Sequence, residues 1–195
     1  MSSELIWMLI LAIGLSVMIV SAGASVPVAF MAMTALVSLT FALLAVRENK
    51  SQSAAGSSVN IIAASTARYM GLVWVWGALG LLVTYMFVLP EWKDWWQFFL
   101  AFTAAGVLCL FFAATHARDA TAGREDQTML KLGRALAAGQ LAGTLITMAG
   151  LFLDPKKHFL NVSKPEWAAN NIFLFGALAL AIISANALYA GRTKA

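Results

Sequence analysis

Tyr69-Met70-Gly71-Leu72-Val73-Trp74-Val75-Trp76-Gly77-Ala78-Leu79-Gly80-Leu81-Leu82-Val83-Thr84-Tyr85-Met86-Phe87-Val88-Leu89 runs without one charged side chain. As a helix rising 1.5 Å per residue, it matches the roughly 30 Å hydrocarbon core of a bilayer. Arg68 stands at its start and Pro90-Glu91-Trp92 at its end, the flanks expected where a span meets the headgroups. The whole chain has the same character. Of its 195 residues 61% are hydrophobic and 11% charged, against about 25% charged in soluble domains. So apolar a chain has too little polar surface to face water all round.

Working outward, the sequence predicts an all-α, polytopic integral membrane protein with about six transmembrane helices and no separate soluble domain. The predicted spans are residues 5–21, 27–46, 69–89, 95–115, 132–153 and 171–189. The first could be read as a cleaved signal peptide, because Ala22-Gly23-Ala24 resembles a cleavage site. Met1-Ser2-Ser3-Glu4 lacks the positive charge of a signal n-region, however, and a second span follows at once, so a retained helix is expected. Arg47-Glu48-Asn49-Lys50 and the Ser/Ala/Gly stretch to Ser58 read as one flexible loop. His116 to Gln127 reads as another.

Sidedness follows from the cations. With these spans, nine of the 13 Lys and Arg residues fall on the side of the N-terminus, including Arg47, Arg68, Arg118 and Arg134. Lys93, Lys156, Lys157 and Lys164 fall on the other. The positive-inside rule then puts both termini in the cytoplasm, with a bacterial inner membrane as the expected location. Trp92, Trp95, Trp96 and Trp167 gather at the predicted outer boundary. They read as interface anchors, with a ligand cage as the alternative. The net charge of +4 is membrane-flanking charge and gives no reason to expect nucleic acid.

The chain also reads as three tandem, like-oriented hairpins within a single transmembrane domain, at about 4–47, 68–118 and 131–192. Pro-Glu-Trp recurs at Pro90-Glu91-Trp92 and Pro165-Glu166-Trp167. The even-numbered spans open alike, as Phe30-Met31-Ala32-Met33-Thr34-Ala35, Phe99-Leu100-Ala101-Phe102-Thr103-Ala104 and Phe173-Leu174-Phe175-Gly176-Ala177. Same-sense repeats imply an axis along the membrane normal, and a site would lie between repeats.

Chemistry-bearing groups are scarce in the spans, where ionisable residues are costly and kept for function. The two histidines fall in or beside loops on opposite sides, and Cys109, the one cysteine, reads as a small packing residue. No nucleophile elbow, zinc-protease motif or phosphate loop is present. No catalytic residue, metal site or cofactor is therefore expected. What remains is neutral: Gln140, Asn186 and the Asn170-Asn171 pair, with threonine and serine hydroxyls. These serve either as interhelical hydrogen bonds or as the lining for a small uncharged solute. Trp74 and Trp76 cannot share a helical face; they read as packing, or as one wall of a groove for a hydrophobic ligand. Gly139 and Gly143 form a GxxxG pair for helix packing or a subunit contact. Asn161-Val162-Ser163 is a glycosylation sequon on the predicted outer side.

The functional expectation is a non-catalytic membrane protein, a structural or assembly subunit of a larger membrane complex. Its partners are lipids and other membrane subunits or a second copy. The alternative is a channel, or the solute-binding part of a transporter, for a small uncharged or apolar molecule. An enzyme acting on lipid through loop residues is a third.

Overall fold

The computed structural model describes residues 10, 14, 26–87, 90–124, 127–153 and 166–192. Within them the chain is all-helical, with no strand: α1 (Val26–Ala54), α2 (Val59–Phe87), α3 (Trp95–Thr121), α4 (Gln127–Leu153) and α5 (Glu166–Arg192). Among the described residues four stretches are long and apolar enough to cross a membrane: α2, α3, α4 and Asn170–Tyr189 of α5. The expected first span apart from residues 10 and 14, Ala22-Gly23-Ala24, the Lys156-Lys157-His158 stretch and the sequon lie outside the described residues, as does the side chain of Trp167.

The helices are longer than the hydrophobic runs that define them. α1 does not end near Val46 but continues to Ala54, and α2 begins ten residues before Tyr69, at Val59. The expected flexible loop shrinks to a tight turn. Its geometry is a Schellman cap: Gly56 takes φ +70°, its N–H donates to Ser53 O, and Ser57 N–H donates to Gln52 O. The α3 terminus repeats the device. Gly123 takes φ +63°, its N–H donates to Ala120 O, and Arg124 N–H donates to Asp119 O. α3 therefore carries His116 inside a helix instead of in a loop. Hydropathy alone marks these polar residues as loop, but a helix leaving the apolar layer keeps its backbone hydrogen bonds and turns polar without unwinding.

α2 and α3 form the most extensive contact. They run antiparallel, since Asn60 meets His116, Trp74 meets Phe102 and Tyr85 stacks on Trp95 at 4.3 Å. Glycines allow the approach. A Cβ placed on Gly106 would lie 2.9 Å from Val75 Cγ2, and one on Gly71 would lie 2.7 Å from Leu110 Cγ. α5 packs on α1, α4 and α2, and α1 packs on α2. α4 buries Leu130, Ala137, Thr144 and Leu151, one seam at the seven-residue spacing of left-handed helix packing.

The described helices meet in one buried apolar cluster. Phe41, Ala42 and Ala45 of α1, Tyr69, Met70 and Val73 of α2, Ala137 of α4, and Ala179, Leu180 and Ile183 of α5 interlock there. Without water to drive helices together inside a bilayer, this close dispersion contact supplies much of their cohesion. α3 and α4, neighbours in sequence, share no extended contact. Their separation leaves an apolar cavity between them.

Candidate functional site

Two features stand out: a polar layer near the α1–α2 turn and an apolar cavity beside it. The layer begins with Asn49, fully buried at 0% exposure. Its face of α1, through Ser38, Ala42 and Ala45, is buried and made of small residues. Asn49 Nδ2 donates to Thr66 Oγ1 of α2 at 2.9 Å and to Asn186 Oδ1 of α5 at 3.0 Å. One amide thus ties three helices. Its Oδ1 is buried and has no hydrogen-bond partner among the described residues.

One residue earlier on α1, Glu48 faces the rim of the layer. Arg68 Nη2 donates to Glu48 Oε2 at 2.6 Å, the Tyr69 hydroxyl donates to the same oxygen at 2.9 Å, and Gln52 Nε2 donates to Glu48 Oε1 at 3.0 Å. A shallower hollow of about 550 Å³ lies here, between this charged edge and an alanine wall of α3 that includes Ala113 and Ala117.

On the far side of α2, Asn60 and His116 are both almost fully buried. Asn60 Nδ2 donates to Arg124 O at 2.7 Å, holding the α3 cap against α2. His116 Nδ1 lies 3.3 Å from Asn60 Oδ1. Across the gap, Gly133 of α4 leaves room for His116 Nε2, which would sit 3.4 Å from a Cβ there.

The cavity starts at His116 and extends away from the turn. Its volume is about 520 Å³, within the roughly 300–1,000 Å³ of small-molecule sites. Met70 and Trp74 of α2 and Leu188 of α5 contribute to its floor, with Cys109, Phe112 and His116 of α3 on one wall. Arg134, Leu136, Gly139 and Gln140 of α4 form the other. The surface is apolar apart from His116, Thr66, Arg134 and Gln140.

The residues singled out in the sequence divide between these places. Gln140, Trp74 and Gly139 line the cavity, and Asn186 belongs to the polar layer. Asn170 and Asn171 are buried at the start of α5, at the opposite end of the bundle, and join neither. Among the described residues Gly139 and Gly143 meet no other helix: nothing lies within 4 Å of a Cβ on either. The close glycine contact is at Gly71 and Gly106 instead. Trp95 combines a boundary position with packing on Tyr85, Trp92 lies against Phe98, and Trp96 is exposed. The hydroxyls of Thr84, Thr144 and Thr147 bond their own helix backbones, leaving little donor capacity for a solute.

Asn49, Asn60 and His116 were missed. Their signal was periodicity carried past the apolar run: Ala42, Ala45 and Asn49 share one helical face. Among the described residues no group of three or more His, Cys, Asp and Glu side chains comes together. Comparison with protein families, characterised proteins and solved structures finds no match.

Proposed function

We propose that this chain is a non-catalytic multi-pass membrane protein that holds a small apolar or uncharged molecule in the α2–α5 cavity. The observation that carries this reading is the cavity itself: about 520 Å³, apolar, and flanked by two helices that do not close on each other. The buried apolar cluster among the described helices supports holding over passage. Mild-detergent purification followed by solvent extraction tests it. A small molecule should be recovered in stoichiometric amount, and Gln140→Leu should alter its retention. An empty extract, with Gln140→Leu indistinguishable from wild type, would remove the basis for the site.

A second reading, a structural or assembly subunit of a larger membrane complex, is favoured by the open α4 face. Ala135, Gly139, Gly143 and Thr147 are all exposed, and small residues at this spacing let a foreign helix approach closely. A stoichiometric membrane partner after gentle solubilisation would favour it; a clean monomer would count against it.

For the topology we propose six spans in three like-oriented hairpins, with both termini cytoplasmic in a bacterial inner membrane. The α2–α3 and α4–α5 pairings support the hairpin unit, and the excess of cations on one side supports the orientation. Reporter fusions at the turn near Gly56 and at either terminus should share one side of the membrane.

A further inference from the structure

We propose that the ligand of the cavity is an uncharged, lipophilic carbonyl compound whose oxygen accepts a hydrogen bond from the Thr66 hydroxyl. This deepens the reading of the cavity as a holding site and rests on it. Thr66 belongs both to the layer that Asn49 ties together and to the cavity lining. Val59, Ile62, Thr66, Met70 and Trp74 line the cavity from α2 at steps of three and four residues, so Thr66 stands in the middle of one helical row. It is 6% exposed.

A hydroxyl carries one hydrogen to donate and two lone pairs. Thr66 Oγ1 accepts from Asn49 Nδ2 at 2.9 Å, which leaves the hydrogen. Thr84, Thr115, Thr144 and Thr147 each give theirs to a carbonyl of their own helix. Among the described residues Thr66 gives its hydrogen to no acceptor. A donor held away from water without an acceptor is costly, and the bond from Asn49 polarises this hydroxyl into a better donor.

The rest of the lining sets the body of the ligand. Trp74 and Phe112 offer rings, and Met70 and Cys109 offer sulfur, to an apolar skeleton. Gln140, on the α4 wall, makes no hydrogen bond to a described residue, and its amide can serve a second polar atom. A hydrocarbon would leave the Thr66 hydrogen unmet. A cation would bring only donors to a group that lacks an acceptor. With Arg134 already partnered, an ionised acceptor would lose more hydration than one hydroxyl returns. A neutral carbonyl loses little and takes the bond.

Fluorenone and fluorene are suitable probes, because they share one fused-ring skeleton and only fluorenone carries a carbonyl oxygen. The full chain in detergent is titrated with each, and affinity is read from the rise in unfolding midpoint. Partition into detergent is the same for every variant, so the ratio of fluorenone to fluorene affinity is compared between variants. Thr66→Val should lower that ratio about tenfold, and Thr66→Ser should keep it. Gly139→Phe, which puts a ring into open space at the cavity wall, should weaken both probes. A second readout uses wild type and serves even where Thr66→Val does not fold. The infrared carbonyl stretch of bound fluorenone, recorded with Gly139→Phe as the blank, should lie below its frequency in hexane.

An unchanged ratio in Thr66→Val, or a bound carbonyl at its hexane frequency, overturns the carbonyl assignment. A ratio lost equally in Thr66→Ser traces the effect to packing and overturns it too. If Gly139→Phe still weakens both probes in those cases, the cavity stands as a holding site and only the ligand chemistry fails. If neither probe binds wild type, or Gly139→Phe binds both as wild type does, the cavity reading and the assignment fail together.

Discussion

Asn49 Nδ2 and Asn186 Oδ1 are 3.0 Å apart although 137 positions separate them in the chain. The bond fastens α1 to α5, and the second Nδ2 contact, to Thr66, fastens both to α2. A buried amide tolerates few arrangements, because each unmade bond leaves a desolvated polar group. The layer therefore fixes the depth at which three helices meet.

Asn49→Leu should destabilise the protein by about 1–2 kcal/mol, the range for interhelical polar contacts and the groups they leave unpaired. Asn186→Leu should cost less, since it removes one bond of the two. The sharper measurement is a double-mutant cycle by thermal unfolding in detergent. The paired substitution should cost less than the two single losses together; additivity within about 0.5 kcal/mol would mean the bond is not made.

Glu48→Gln should matter less than Asn49→Leu. Glu48 and Arg68 are 30% and 50% exposed, and solvent-exposed pairs contribute less than about 1 kcal/mol. Whatever stability is lost should shrink as salt is added. A large, salt-insensitive loss would show that the pair is shielded from water.

Glycine substitutions should separate by helix. Gly106→Ala puts a methyl against Val75 and 3.3 Å from its backbone N, so α2 and α3 must move apart at a cost of about 1–3 kcal/mol. Gly143→Ala meets nothing and should be neutral or stabilise by up to about 1 kcal/mol through helix propensity. Comparing the two unfolding midpoints checks which glycines hold the fold together.

His116→Ala should lower stability by about 1–3 kcal/mol, because it removes the ring facing Asn60 Oδ1 and leaves that oxygen buried. The same change widens the polar end of the cavity. Thermal unfolding in detergent checks the loss; a midpoint equal to wild type would mean that the Asn60–His116 contact does not hold α2 and α3 together.

Much of this architecture was legible in the chain. Charge-free stretches of the length of Tyr69–Leu89 mark membrane-spanning helices, because in hydrocarbon every backbone N–H and C=O must be bonded within the segment. Gln140 and Trp74 were visible as unusual residues in such stretches, and both line the cavity. Asn49 and His116 were not visible. Both sit beyond the apolar run of their helix, where hydropathy no longer distinguishes helix from loop. Only the Schellman turns at Gly56 and Gly123 show how far α1 and α3 continue.

The sequence by itself determined the solvent. A chain this apolar, with its charges gathered at the ends of long uncharged stretches, must form helices in a lipid environment. That follows from transfer energies summed over single segments and needs no knowledge of neighbours. The tertiary structure decided which helices touch. It joined Asn49 to Asn186, brought Gly71 and Gly106 into the α2–α3 contact, and left Gly139 and Gly143 open. It also held α3 and α4 apart so that a cavity lies between them. Helix faces of similar hydropathy are nearly equivalent to lipid, so the choice among them rests on shape and a few polar bonds, which exist only once the helices have met.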